Sequence, residues 1–204
     1  MSKHEKPFLS SASFDLLSDF VSSRGEADYR VAQIASWVFK KWELDPAMML
    51  NIPRVLRDGL PEAFLCNSSS IFSECSAPDG TSKFLIRLHD DEKIETVLIP
   101  SRKRNTFCLS SQVGCPVRCR FCASGTGGLV RNLTTGEIIE QFFHACRRLG
   151  TLPDNLVFMG IGEGLLNFSN LVTALDILCD PERVGLAARR ITVSTSGWSE
   201  GIRK

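Results

Sequence analysis

Histidine is scarce in this chain of 204 residues, with only His4, His89 and His144, and no two of them are spaced as a metal-binding pair. A structural zinc site needs a fourth Cys or His, usually from a second CxxC or a paired His. The cysteines cluster only once, so that partner is missing and zinc is disfavoured. No apolar run approaches the roughly 18 uninterrupted residues of a membrane span. No secretory leader opens the chain, so a disulfide framework is not expected and a reducing, cytoplasmic location is. Cys66, Cys75, Cys146 and Cys179 lie singly in apolar stretches and read as reduced, buried thiols. Net charge is also small, at +1, with 43% hydrophobic and 23% charged residues. This is the composition of an ordinary globular chain, long enough for one large domain or two small ones.

What is present is one dense cysteine run. Cys115, Cys119 and Cys122 stand in Gly114-Cys-Pro-Val-Arg-Cys-Arg-Phe-Cys-Ala-Ser-Gly125, a CxxxCxxC spacing. Three thiolates so close together suit one metal centre. Four cysteines ordinarily hold a 4Fe-4S cluster, so three leave one iron open to chelate a small molecule. The run resembles the cluster loop of the radical-SAM superfamily, which implies S-adenosyl-L-methionine at that open iron.

Charge is uneven along the chain. Residues 61–100 hold three Lys/Arg and seven Asp/Glu, whereas residues 101–150 hold eight Lys/Arg and two Asp/Glu. Arg102, Lys103, Arg104, Arg118, Arg120, Arg131, Arg147 and Arg148 are therefore candidates for a positive surface beside the cysteine loop, as a polyanion would favour. A charge run is also what a plain solvated face looks like.

Patterning divides the chain into three parts, at 1–62, 63–104 and 105–204. Phe14, Leu17, Phe20 and Val21, then Val31, Ile34, Trp37 and Val38, recur at helical spacing, which predicts a small helical N-terminal domain. Pro78-Asp79-Gly80-Thr81 is a turn between alternating runs at Lys83–Leu88 and Ile94–Ile99, which predicts a β-hairpin linker after a Ser-rich polar stretch. From Asn105 onward, strands at Phe107–Ser110, Asn155–Met159 and Arg190–Thr195 alternate with helices at Thr134–Leu149 and Leu166–Cys179. Such alternation implies an α/β fold with a parallel sheet or barrel, whose ligands gather at the C-terminal strand ends.

Two more motifs lie at such ends. Gly160-Ile-Gly-Glu-Gly164 offers close backbone approach and a carboxylate able to accept hydrogen bonds from an ammonium group. Turn geometry alone also explains it. Ser194-Thr195-Ser196-Gly197 offers hydroxyls for ribose or carboxylate, or equally a polar turn.

Taken together, Phe107–Cys115 and Arg131–Ile139 resemble the RlmN and Cfr family of radical-SAM RNA adenine methyltransferases. Asp79–Lys83, Glu95–Pro100, Met159–Leu166 and Arg189–Gly197 resemble it too, as do Arg30, Gln33, Trp37, Asn51-Ile-Pro53 and Leu56-Arg57. The resemblance favours the branch that methylates C2 of an adenine in 23S ribosomal RNA and, in some members, in tRNA; the C8-methylating branch is the alternative. It implies Cys115, Cys119 and Cys122 as cluster ligands, and Gly162, Glu163 and Ser194 as contacts to S-adenosyl-L-methionine. It further implies Glu95 as proton acceptor, Cys108 as the cysteine that resolves a covalent protein–RNA intermediate, and a reductant protein such as flavodoxin or ferredoxin. One departure is Gly164, where the family usually has Pro. The methyl-carrying cysteine of the family lies beyond Lys204, and three strands of βα type stand where the family has six. The expectation is therefore a partial radical-SAM barrel and an N-terminal portion, inactive by itself, with a non-catalytic iron–sulfur or RNA-binding remnant as the competing reading.

Overall fold

The computed structural model describes residues 6–203, so His4 lies outside the described residues. Helices α1 (Phe14–Ser23), α2 (Tyr29–Ala35) and α3 (Arg54–Ala63), with a π-helical turn at Ser36–Lys40, make up the N-terminal segment. Ser13 starts α1 by accepting a hydrogen bond from the Leu16 N–H, one of the donors that a helix start leaves free. Leu17, Phe20, Val21, Ile34 and Val38 are buried as the spacing predicts, and Phe14, Val31 and Trp37 pack at the margin of the same core. Arg30 donates to Gln33 Oε1 and to the Asn51 carbonyl, while Trp37 Nε1 donates to Asn51 Oδ1. Residues far apart in sequence thus meet in one polar cluster between α2 and the turn before α3.

The rest is built on a mixed sheet. In chain order come β1 (Ser70–Ser76), β2 (Ser82–Arg87), β3 (Lys93–Pro100), β4 (Asn105–Cys108), β5 (Gln112–Gly114), β6 (Leu129–Asn132), α4 (Thr135–Leu149), β7 (Asn155–Phe158), α5 (Phe168–Cys179), β8 (Ile191–Val193) and α6 (Ser199–Arg203). Six strands form one sheet in the order β1-β2-β3-β4-β7-β8, and β5 and β6 form a separate two-stranded ribbon. β1 to β4 pair antiparallel, whereas β4, β7 and β8 run parallel. The hairpin region is thus continuous with the parallel strands, across the expected boundary at 104/105.

β1 is absent from the sequence expectation. All seven of its residues are exposed, so no alternation of buried and polar positions marks it. β2 and β3 show that alternation clearly. Phe84, Ile86, Ile94, Thr96 and Leu98 are buried on one face, while Lys83, Leu85, Glu95 and Val97 stand on the other.

α4 joins the two halves. Thr134 and Glu137 form a reciprocal capping box at its start, and Gly150 at φ 78° ends it. Every residue from Gly136 to Cys146 is buried, because α4 is packed on more than one side. Edge-to-face and tilted ring pairs run from Phe107 in β4 to Phe142 at 5.9 Å, on to Phe143 at 6.3 Å, and to Phe39 of the N-terminal segment at 6.4 Å. Each such pair adds about 1 kcal/mol beyond simple burial. Among the described residues no helix is long and apolar enough to cross a membrane.

Candidate active site

The parallel strands β4, β7 and β8 point their C-terminal ends the same way, and the chain segments leaving them are tied together by buried polar groups. Ser110, just after β4, donates from Oγ to the Glu95 carbonyl at 2.7 Å and accepts from the Ile161 N–H at 3.0 Å. Gln112, fully buried, accepts from the Glu163 N–H at 2.9 Å and donates to Asn132 Oδ1 at 2.7 Å. Asn167 Nδ2 donates to the carbonyls of Ser111 and Leu133. Gln141 of α4 accepts from the Ser110 N–H and donates to the Ser110 carbonyl, both at 3.0 Å, and accepts from Thr96 Oγ1 at 3.1 Å. Ser110, Gln112, Gln141 and Asn167 were not singled out by sequence reasoning. Their only signal is polarity inside otherwise apolar, regularly patterned segments.

This lattice brings most of the expected site residues to one end of the sheet. Glu95 is the third residue of β3 and Cys108 ends β4; Val97 pairs directly with Cys108, so Glu95, Val97 and Cys108 share one face. Lys83 Nζ lies 2.8 Å from Glu95 Oε1, which pairs the carboxylate with a cation on the same face. Burial pushes the Cys108 thiol above its ordinary range, against a smaller opposing effect of the Met159 backbone.

Gly162 and Glu163 follow β7. Gly162 has φ 113°, and a Cβ there would lie 2.6 Å from Ser111 Oγ and 2.8 Å from the Gln112 nitrogen. Glycine is what lets the two segments touch. Glu163 Oε2 accepts from the Ser196 N–H at 2.6 Å and Oε1 from the Leu165 N–H at 3.2 Å. Burial raises this carboxyl, but the donors from Ser196, Leu165 and Thr195 outweigh it, and the group sits below its ordinary range. It is held as a carboxylate. Ser194 is exposed and follows β8, its N–H donating to the Phe158 carbonyl at 3.4 Å.

The cysteine loop hangs from the β5–β6 ribbon, which sequence patterning missed because strands of three and four residues carry no measurable period. The Cys115 N–H donates to the Gly128 carbonyl at 2.9 Å, and Cys122 to Cys119 at 3.0 Å. Gly114, at φ 71°, sits where a Cβ would fall 2.0 Å from the Gly128 oxygen. All three thiols are free and half-buried. Three free, half-buried thiols in one short loop are a donor set that fits a 4Fe-4S cluster, which takes cysteine thiolates as its ligands.

Two expectations need correction. Cys75 is exposed on the edge strand β1, not buried; Cys146 is buried, and Cys66 and Cys179 are intermediate. Nor do the basic residues form one surface. Arg131 is bound to Asp90 and Glu137, Arg148 to Glu74, and Arg147 to the Trp42 carbonyl and His144 Nδ1. His144 can accept that bond because burial and the adjacent Arg147 cation hold its pKa down to about 4. Arg118 and Arg120 are exposed in the cysteine loop. Arg102, Lys103 and Arg104 stand at the β3–β4 turn, the far end of β4 from it.

Comparison with known proteins gives the class first. A solved radical SAM methyltransferase from Sphaerobacter thermophilus superposes with a TM-score of 0.87 at 38% identity, over 93% of this chain and 57% of that one. Residues 9–65 match the family described as Ribosomal RNA large subunit methyltransferase N-terminal domain. The probable dual-specificity RNA methyltransferase RlmN of Chlorobium phaeobacteroides (strain BS1) is 47% identical over 89% of this chain and 53% of its own length. The dual-specificity RNA methyltransferase RlmN of Lawsonia intracellularis (strain PHE/MN1-00) is 45% identical over 90% and 54%. Over nearly its whole length the chain is therefore similar to the N-terminal portion of RlmN-type RNA methyltransferases. It spans about half the length of the curated relatives it matches.

Proposed function

We propose that this chain forms the cluster- and cofactor-binding part of a radical S-adenosyl-L-methionine enzyme that methylates C2 of an adenine in 23S ribosomal RNA and in tRNA. The observation that supports this reading most is the convergence at one sheet end. The segment that leads from β4 into the cysteine-bearing ribbon, the Gly162-Glu163 turn after β7 and the Ser194 loop after β8 leave neighbouring parallel strands there, beside Glu95 and Cys108. The mixed sheet, in this reading, is one side of a partial barrel.

When bound, a 4Fe-4S cluster and S-adenosyl-L-methionine supply the radical chemistry that a non-nucleophilic aromatic carbon requires. Cys115, Cys119 and Cys122 would hold the cluster. Glu163, fixed as a carboxylate by backbone and hydroxyl donors of Ser196, Leu165 and Thr195, would receive the cofactor's ammonium, with the Gly162 backbone closing against it and Ser194 contributing its hydroxyl. Glu95 would take the proton from the adenine carbon, with Lys83 Nζ held 2.8 Å from its Oε1. Cys108, kept as a thiol by burial, would release the product from a second cysteine supplied by the longer protein. A reductant protein and an RNA are the implied partners.

Anaerobic reconstitution tests this directly. Wild-type protein takes up about four irons and shows the absorption of a 4Fe-4S centre; Cys115→Ala, Cys119→Ala and Cys122→Ala each abolish it. Stoichiometric zinc without iron uptake would refute the reading. In a full-length protein, 2-methyladenosine as product separates this activity from C8 methylation.

A further inference from the structure

The break-up of the basic block leaves one concentration of charge with no assigned role. Arg102, Lys103 and Arg104 project from the β3–β4 turn, and Arg189 and Arg190 immediately precede β8. They meet at the N-terminal ends of the parallel strands. Arg104, Arg189 and Arg190 line a cleft of about 270 Å³ together with Asp154 and Asn155. All five cations are exposed, and none of them forms an ion pair among the described residues. Asp154, the one carboxylate in the cleft, already accepts from the Asn105 N–H at 2.9 Å. Five unpaired cations against one carboxylate repel one another, an arrangement relieved by an anion.

We propose that this cleft and its rim form an RNA phosphate-binding surface, separate from the candidate active site and at the opposite end of the sheet. The separation is physical: β4 alone, at about 3.3 Å per residue, spans roughly 13 Å, and the cysteine loop begins beyond it. The site residues gather at the other end. RNA is favoured over an acidic protein because the cleft lining is polar throughout, whereas a protein interface needs an apolar centre. Arginine forks match phosphate oxygens in pairs, and phosphate contacts set register on a nucleic acid without reading its sequence. The surface would hold the flanks of a structured RNA while the adenine lies at the far pole. This inference rests on the reading of the chain as RNA-directed.

The test uses the whole chain, a fluorescently labelled ribosomal RNA fragment and anisotropy titrations across a salt series. The quadruple variant Arg102→Gln, Arg104→Gln, Arg189→Gln, Arg190→Gln should bind roughly tenfold or more weakly near 0.1 M salt. Its slope of log affinity against log salt should fall by about 3, from roughly 0.7 per contacted phosphate on a single strand. The matching Arg→Lys quadruple should keep the slope and lose much less affinity than the Gln variant, since it keeps the charge and lacks only the fork. Unchanged binding in the Gln variant overturns this inference alone. Equal loss in the Gln and Lys variants also overturns it, since charge would then not be the cause. A wild-type chain that binds polyglutamate of matched charge but no RNA overturns the RNA-directed reading itself. Unchanged circular dichroism and iron content show that each variant is folded.

Discussion

Replacing Gln141 with Leu should cost this protein several kcal/mol, although Leu is a better helix former and similar in size. Gln141 is fully buried in the middle of α4. Its amide serves three partners: the N–H and C=O of Ser110, both at 3.0 Å, and the Thr96 hydroxyl at 3.1 Å. Ser110 and Thr96 are themselves fully buried, so no water takes the amide's place. A buried donor or acceptor left unpaired costs about 1–3 kcal/mol. Two orphaned backbone groups therefore cost roughly 4 kcal/mol, with Thr96 adding little because its hydroxyl can rotate. For a domain of this size that is a fall of about 10 °C in Tm. The damage is local as well, because Ser110 is the residue that joins Glu95 to the turn before Glu163. Chemical denaturation of the apo-protein measures the loss, and Gln141→Met distinguishes hydrogen bonding from shape, since a flexible side chain refits where Leu cannot. Equal losses in both variants support the argument. A loss below about 1 kcal/mol in both would refute it.

Other perturbations follow from the same geometry. Gly114→Ala should prevent iron uptake on reconstitution, because the added Cβ would meet the Gly128 oxygen at 2.0 Å and open the ribbon that carries the cysteines. Arg131→Ala should destabilise the fold by about 2–3 kcal/mol in urea titrations, since it strips fully buried Glu137 of both its guanidinium bonds; Arg131→Lys should recover only part of this, lacking the fork. The Glu163 carboxyl is depressed in the fold, so its contribution is present above the unfolded value near 4.5 and is lost as pH falls through the lower folded value. Glu163→Gln should flatten stability of the apo-protein against pH in that acid window.

Local signals made much of this legible in the sequence. The helix at Thr134–Leu149, the alternation in β2 and β3, and the helical period at Leu17, Phe20 and Val21 are short-range patterns, and each stands where it was expected. What escaped was set by long-range pairing. β1 buries nothing, so its Ser-Ile-Phe-Ser run looks like a polar loop and is a strand only because β2 lies beside it. β5 and β6 are too short for a period and exist because Gly114 and Leu129 meet across the cysteine loop.

Charge shows the same limit most clearly. In sequence, eight Lys/Arg between 101 and 150 form one block, and proximity to Cys115 invites a single role for them. The fold distributes them by strand direction and by partner. β4 carries Arg104 at one end and the cysteine loop at the other, Glu137 and Asp90 neutralise Arg131, and Glu74 on the edge strand takes Arg148. Arg189 and Arg190, far away in sequence, join the three cations of the β3–β4 turn because β7 sets β8 in parallel register, two strands from β4. A count of charge along a chain measures neither ion pairing nor which pole of a sheet a residue occupies. Only the register of β4, β7 and β8 separates the basic pole from the candidate active site, and that register is fixed by pairing across some fifty residues of intervening chain.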